Sequence, residues 1–331
     1  MAITIKDVAK KAGVSISTVS RVINNSKPVS DDIRQRVMEI IKETGYVPNT
    51  VARSLVTKTS KIIGVIVPDM SNIFIGTLLN GIEEVGKMYG YDILLCNSYG
   101  GVDEELRYIK VLQSKQVAGI VFMSWKTNKK HVEAIEKTDL PCVYISRNAK
   151  DFDVYSVGVS YHDAAYDMTK YLIGKGHEKI AMIRNCPGYK NEESERFKAF
   201  KKAMEENDLQ VDANLVKVGP STSESGYNLM QEILNSKNIP DAVFATDDEV
   251  AAGVINCILD NGYKVPEDIA VAGFDDTRVS LISRPTITTI RQPIYDIGAV
   301  SIRMIIKMIK KEDVGAKKVE LPYKLIERKS V

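Results

Sequence analysis

The sequence predicts a small all-α helix-turn-helix headpiece followed by an α/β core of two doubly wound parallel-sheet subdomains. Three observations carry this. Hydrophobic spacing over residues 4–44 is that of short helices, at i, i+3, i+4 and i+7. From residue 61 it changes to short, nearly continuous apolar runs between amphipathic stretches, the mark of strands covered on both faces by helices. Charge divides at the same place. Residues 1–60 hold ten Lys/Arg against five Asp/Glu and the remainder thirty-five against thirty-eight, so a net charge of +2 hides a basic head on a mildly acidic body. That asymmetry points to nucleic acid.

Within the head, Thr4 precedes Ile5, Val8, Ala9 and Ala12 on one helical face, and Thr4 with Asp7 makes a capping-box pattern. Gly13 ends this helix. Ser15 caps a second helix that turns Val19, Val22 and Ile23 inward and leaves Ile16, Ser17, Thr18, Ser20 and Arg21 outside the core set. Residues 24–28 read as a loop. Ser30 caps a third helix, with Asp31 and Asp32 in its first turn and Ile33, Val37, Ile40 and Ile41 inside. Two helices joined by a glycine-containing three-residue turn describe a helix-turn-helix. In a major groove the second helix presents Ile16 and Ser17 to base edges, with Arg21 one turn further on. Arginine pairs bidentately with guanine, and isoleucine packs on a thymine methyl. After Pro48, residues 49–56 can form a two-turn helix with Val51, Ala52, Leu55 and Val56 on one side, too short to stand alone. Paired with a second copy in a minor groove, it would let Leu55 wedge between base steps. Without DNA it is expected to be a frayed linker.

In the body the apolar runs fall at 62–67, 93–96, 120–123, 142–145, 157–159, 180–183, 242–245, 269–272 and 287–290. The series runs twice, its second opening about 118 residues after the first, which predicts two doubly wound halves with a ligand cleft between them. No apolar stretch approaches ~18 residues, the length of a spanning helix, and the N-terminus has no apolar signal region, so the cytoplasm is the expected location. Cys96, Cys142, Cys186 and Cys257 lie 44 or more residues apart, and His131, His162 and His177 are equally scattered, so no metal site is expected. There is no phosphate loop, no G-x-S-x-G and no Cys/His nucleophile pair, so the chain is not expected to be an enzyme and no cofactor is implied. Asp247, Asp248, Asp275 and Asp276 read as hydroxyl-binding or helix-capping carboxylates. In the helix at 294–310, Ile297, Val300, Met304 and Met308 share one stripe, while Tyr295, Ala299, Arg303 and Lys307 recur every four residues opposite it. An aromatic with two cations on an outward face suits a phosphorylated partner.

The headpiece run K-D-V-A-K-K-A-G-V-S-I-S-T-V-S-R-V-I-N, with G-Y-V-P-N-T-V-A-R-S-L after it, resembles the lactose-repressor (LacI) family. The body resembles it too, through P-D-M-S-N-I-F-I, G-H-E-K-I-A-M-I, D-D-E-V-A-A-G, V-P-E-D-I-A-V-A-G-F-D-D and P-T-I-T-T-I. The resemblance implies a homodimer on a near-palindromic DNA operator and a periplasmic-binding-protein-like core. It places base reading on Ile16, Ser17 and Arg21, and phosphate contact on Thr4, Ser15, Thr18, Asn24, Ser30 and Asn49. Minor-groove contact falls on Ala52 and Leu55 of the hinge helix. It implies a headpiece at 1–47 and a hinge and linker at 48–60. The core subdomains are then 61–161 with 292–321, and 162–291 with 322–331. Effector positions map onto Ile73, Phe74, Arg147, Arg196, Asp247 and Asp275, although Ser146 stands where sugar-binding members often carry Asp. Other segments, among them K-M-Y-G-Y-D-I-L-L-C-N-S and R-Q-P-I-Y-D-I-G-A-V, resemble a branch of global regulators of carbon use. That implies serine-phosphorylated HPr as corepressor, docking on Asp69, Tyr89, Tyr295, Arg303 and Lys307. Fructose 1,6-bisphosphate or glucose 6-phosphate would be auxiliary effectors. The alternative is a sugar-responsive repressor controlled by a small molecule in the cleft alone.

Overall fold

A computed structural model describes residues 3–24, 27–46, 60–125, 127–145, 151–185 and 194–331. The chain divides into two compact units, Met1–Thr59 and Ser60–Val331. The expectations on Asn49, Ala52, Leu55 and Arg147, and on the side chain of Asn24, lie outside the described residues.

The first unit has three helices, α1 (Ile5–Ala12), α2 (Ile16–Asn24) and α3 (Asp31–Thr44). The Asp7 carboxylate accepts from the Thr4 hydroxyl at 2.7 Å and the Thr4 amide at 2.9 Å. Those bonds hold its carboxyl below the usual range. Gly13 closes α1 at φ 65°, a left-handed conformation that suits glycine. The Ser15 hydroxyl accepts from the Thr18 amide at 3.1 Å and so caps α2. Ser30 sits at the N-cap of α3 without a side-chain capping bond, so that helix end relies on Asp31 and Asp32 in its first turn. Val8, Val19 and Val37, one from each helix, are fully buried together.

The second unit carries two six-stranded sheets. The first uses β1 (Ile62–Val67), β2 (Asp92–Asn97), β3 (Gly119–Met123), β4 (Cys142–Ile145), β5 (Ser156–Gly158) and β11 (Lys318–Glu320), in the order β11-β5-β4-β3-β1-β2, all parallel. The second uses β6 (Ile180–Asn185), β7 (Val216–Gly219), β8 (Ala242–Ala245), β9 (Ala270–Asp275), β10 (Thr288–Arg291) and β12 (Lys324–Ile326), in the order β12-β10-β9-β8-β6-β7. Its last strand alone runs antiparallel. The two orders are the same permutation, so the doubled run of apolar segments is a doubled topology. The chain passes from the first sheet to the second after β5, returns after β10 and passes over again between β11 and β12.

Both faces of each sheet are covered. On one face of the first sheet Val65 packs among residues of α4 (Ile73–Met88) and α12 (Ile294–Lys310), including Ile75, Ile82, Ile302 and Ile305. On the other, Ile66 and Phe122 meet Ile109 and Leu112 of α5 (Val102–Ser114) and Ile135 of α6 (Lys129–Glu136). The second sheet is covered likewise by α7 (Tyr161–Gly174) and α8 (Glu195–Glu205) on one side, and by α9 (Ser223–Asn235) and α10 (Asp248–Asp260) on the other. The short α11 (Arg278–Ile282) follows β9. Successive strand residues point to opposite faces, so a strand buried on both reads as unbroken apolar sequence.

Three strands depart from the sequence expectation. β7, β11 and β12 are short sheet edges with no fully buried residue, and they carry no apolar run. Helix α12 departs as well. Ala299, expected outward, is buried, as are Ile302, Ile305 and Ile306. The helix touches both the sheet and α4, which buries a wider arc than one stripe. Two glycines set how close α4 and α12 come. A Cβ on Gly81 would lie 2.1 Å from the Tyr295 carbonyl oxygen, and one on Gly298 would lie 2.3 Å from that of Leu78. Among the described residues no helix is long and apolar enough to cross a membrane.

Candidate functional site

In the first unit the turn Gly13–Val14–Ser15 orients α2 so that Ile16 is 43% exposed, with Ser17 and Arg21 exposed beside it. An isoleucine at the first position of a helix, held outward while Val19 is fully buried, is an apolar contact offered to a partner. The Ser15 hydroxyl hydrogen-bonds those of Ser17 (2.7 Å) and Thr18 (2.9 Å). The three hydroxyls thus form one cluster at the helix start, beside amides that α2 leaves unpaired. Thr4 and Ser30 are exposed at their helix starts. Amides and hydroxyls of this kind can meet phosphate oxygens.

In the second unit a cleft opens at the C-terminal ends of the strands, where loops from the two sheets face each other. Of the expected effector residues it brings together Phe74, Arg196, Asp247 and Asp275. Ile73, half-buried at the first position of α4, does not line it. Asn72, Met123, Ser124, Trp125, Ile145, Tyr161 and Gln292 also line it and were not read from sequence. Their common signal is position, since most follow or end an apolar strand run.

Arg196 is 4% exposed, with its guanidinium 3.9 Å from the Phe274 ring centroid and 4.8 Å from that of Tyr161. Nη1 donates to the Thr246 carbonyl at 2.7 Å, and Nη2 lies 3.9 Å from Asp275 Oδ1. A cation so enclosed is fixed in place before any ligand arrives. Asp247 caps α10 by accepting from the Glu249 amide at 2.8 Å, and it also accepts from Ser221 at 2.9 Å. Asp275 holds φ 104°, an uncommon backbone conformation for a residue with a Cβ, and accepts from Gln292 Nε2. Behind them Asp248 is fully buried, accepting from Thr289 Oγ1 and the Thr277 amide, each at 2.6 Å. Burial, then the nearby Asp275 carboxylate, push the Asp248 carboxyl well above its ordinary range. Asp276 goes the other way. Burial raises it, but bonds from Arg291, Arg328 and Ser280 outweigh burial and hold it low.

A second surface spans α4 and α12. Tyr295 (37% exposed) donates its hydroxyl to Glu84 at 2.8 Å, and Arg303 and Lys307 are exposed on the same helix. Tyr89 (44% exposed) has the Lys310 ammonium 5.1 Å from its ring centroid. Asp69 does not join Tyr89. It precedes α4, accepting from the Ser71 hydroxyl and amide, while Tyr89 caps the far end, about 24 Å away for 16 residues at 1.5 Å each.

Comparison with known proteins places this geometry. A model of bacterial regulatory proteins, lacI family, matches residues 4–49, and a model of a periplasmic binding protein-like domain matches residues 169–331. Catabolite control protein A of Priestia megaterium is 39% identical over 330 residues, covering 100% of this chain and 99% of that one. The structure of the lac repressor dimer bound to operator and the anti-inducer ONPF superposes with a TM-score of 0.90 at 26% identity, covering 100% of this chain and 99% of that one. The transcription regulator CcpA of Lactococcus lactis gives a TM-score of 0.74 at 31% identity, over 81% of this chain and 98% of that one. Such relatives are regulators of transcription rather than enzymes. The chain belongs to the LacI family of bacterial regulatory proteins and is a DNA-binding transcriptional regulator.

Proposed function

We propose that this regulator governs carbon catabolite repression as a cytoplasmic homodimer on a near-palindromic operator, with serine-phosphorylated HPr as its corepressor. In this reading residues 1–47 are the headpiece, 48–60 the hinge and linker, and the core subdomains are 61–161 with 292–321 and 162–291 with 322–331. Ile16, Ser17 and Arg21 read bases, and Thr4, Ser15, Thr18, Asn24, Ser30 and Asn49 meet phosphates. Ala52 and Leu55 enter the minor groove. The observation that carries the corepressor is the α4–α12 face. Two exposed tyrosines stand with Arg303 and Lys307 on one surface, a match for a phosphoserine inside an apolar contact. Asp69 belongs to the docking set only if the partner reaches the other end of α4.

Partner binding favours the state in which the two hinge segments fold together in the minor groove. It shifts that equilibrium only by its differential affinity for the two states. Operator titration with and without serine-phosphorylated HPr tests this. Arg303→Glu is expected to abolish the stimulation and leave basal operator binding intact, and equal loss of both contradicts the docking assignment. Contact with ~6–10 phosphates predicts a loss of ~10³–10⁵ in affinity between ~50 and ~200 mM salt.

The cleft favours a second input. Phe74, Arg196, Asp247 and Asp275 converge there, with Arg147 as a further candidate, for fructose 1,6-bisphosphate, glucose 6-phosphate or a free sugar. In the extreme form of this reading the small ligand alone controls DNA binding, and the same titration without HPr separates the two.

A further inference from the structure

Helix α2 begins with three hydroxyls whose hydrogens can be counted. Ser15 Oγ lies 2.7 Å from Ser17 Oγ and 2.9 Å from Thr18 Oγ1, and it accepts from the Thr18 amide at 3.1 Å. A hydroxyl has one hydrogen and two lone pairs. Each hydroxyl–hydroxyl bond uses one hydrogen, so the three groups keep a single hydrogen for an outside acceptor. Ser15 cannot be the group that keeps it. It would then accept from Ser17, from Thr18 and from the Thr18 amide, three bonds on two lone pairs. Two arrangements remain. In one, Ser17 donates to Ser15 and Ser15 to Thr18, which leaves Thr18 as the outward donor. In the other the chain runs backwards and Ser17 is the outward donor. Ser17 is exposed beside Ile16, and Thr18 is half-buried next to it.

We propose that this relay sets the polarity of base reading: while Thr18 donates to a phosphate, Ser17 meets the major groove as an acceptor and reads an exocyclic amino group, adenine N6 or cytosine N4. This rests on the headpiece reading above, in which Thr18 meets a phosphate and Ser17 a base edge. Phosphate oxygens only accept, so a Thr18 bound to one holds the single outward hydrogen. A hydrogen bond to a charged acceptor is roughly twice as strong as a neutral one, which decides between the two arrangements. The hydrogen of Ser17 is then spent on Ser15, and its oxygen keeps its lone pairs. In the major groove the amino groups of adenine and cytosine donate, whereas guanine O6 and N7, adenine N7 and thymine O4 accept. Ser15 is the positioning residue of the set. Its hydrogen and both lone pairs are taken, so it acts on phosphate through Thr18 rather than by donating its own hydroxyl.

The test uses the full-length chain and an operator that it enriches from a random duplex pool, read by fluorescence anisotropy at low salt. Ser17→Ala locates the contacted base pair as the one whose preference it flattens. At that pair, purine in place of adenine or pyrimidin-2-one in place of cytosine deletes the amino group. The deletion should weaken wild-type binding about fivefold per half-site, as loss of one neutral hydrogen bond does, and cost Ser17→Ala almost nothing. A transition at the same pair, guanine for adenine or thymine for cytosine, puts a carbonyl oxygen where the amino group stood and should cost the wild type more. Thr18→Val gives the reading that a purely phosphate-binding role does not move. It keeps the side-chain shape and the amide bond to Ser15, but Ser15 then donates to Ser17, and Ser17 regains an outward hydrogen. The transition penalty should therefore shrink several-fold, whereas a lost phosphate contact alone weakens every duplex by one factor. A transition penalty unchanged in Thr18→Val, an amino deletion that costs Ser17→Ala as much as the wild type, or a Ser17→Ala that flattens no position overturns the relay and leaves the headpiece as the DNA-binding unit. A pool in which no sequence is enriched overturns both.

Discussion

Two of the three glycines of helix α4 have surroundings that oppose each other, and alanine at each should move stability in opposite directions. Gly76 is exposed, with nothing within 4 Å of an added Cβ. There alanine removes the backbone-entropy cost of glycine and gains about 1 kcal/mol. Gly81 is buried, and its added Cβ would sit 2.1 Å from the Tyr295 carbonyl oxygen and 3.1 Å from the Ala299 amide nitrogen. Atoms in good contact stand about 3.5 Å apart, so α4 and α12 must separate by about 1 Å or more. Both opposing atoms are backbone and cannot swing aside. Overpacking of this kind costs about 1–3 kcal/mol, enough to outweigh the propensity gain. Calorimetry on the full-length chain should show Gly76→Ala melting higher by about 2 °C and Gly81→Ala lower by about 2–6 °C. The second change should also weaken docking on the α4–α12 face, because the atom displaced belongs to Tyr295. Equal stabilisation by both substitutions would refute the argument, since it would mean that the helices part without cost.

Three further outcomes are expected. Glu105 and His131 are buried together, with His131 Nε2 2.9 Å from Glu105 Oε2 and Nδ1 accepting from the Asn128 amide at 3.2 Å. His131→Leu, which strands the carboxyl, should cost about 3–5 kcal/mol in urea unfolding, while adding Glu105→Leu recovers most of it; two additive losses would contradict a true pair. Asp248 has a raised carboxyl in the folded state, so the stability it contributes is full below its unfolded value near 3.8 and falls away as pH rises through the raised one. Wild type minus Asp248→Asn stability should therefore decline from pH 4 upward in unfolding curves, and a flat difference would count against the shift. Arg21→Ala should lower operator affinity by about 1–3 kcal/mol and non-specific affinity much less, read by fluorescence anisotropy on both duplexes; equal losses would make Arg21 a phosphate contact.

What could be read from sequence follows from where burial is local. The strand runs at 62–67, 142–145 and 242–245 coincide with β1, β4 and β8, because a strand between two helical layers must be apolar throughout. The head was legible because its core is made by neighbours in sequence, Val8, Val19 and Val37 at helical spacing. Ala299 was misplaced because one stripe per helix assumes one packing partner, and α12 has two. The cleft was partly legible. Phe74, Arg196, Asp247 and Asp275 carry family resemblance in their neighbouring residues, whereas Trp125, Tyr161 and Gln292 meet them only once two sheets are built and crossed. No local pattern places Gln292 on the cleft wall, since that depends on Asp275 lying 17 residues back in sequence and beside it in space.

The cleft and the proposed docking face meet at the start of α12, where Gln292 lines the cleft and donates to Asp275. Gln292 is followed by Pro293, the N-cap of α12, and Tyr295 lies two residues beyond that. The close approach at Gly81 and Gly298 makes α12 and α4 a tightly packed pair, so Tyr295, Arg303 and Tyr89 share a support whose first residues answer to the cleft. On the proposed reading, a ligand in the cleft raises affinity for the phosphorylated partner, and linkage requires the partner to raise affinity for that ligand by the same factor. Measuring each affinity with the other site empty and saturated gives two ratios that must agree in the wild type and both fall towards one in Gln292→Met. A wild-type partner effect that survives Gln292→Met undiminished would place the coupling in some other element than α12.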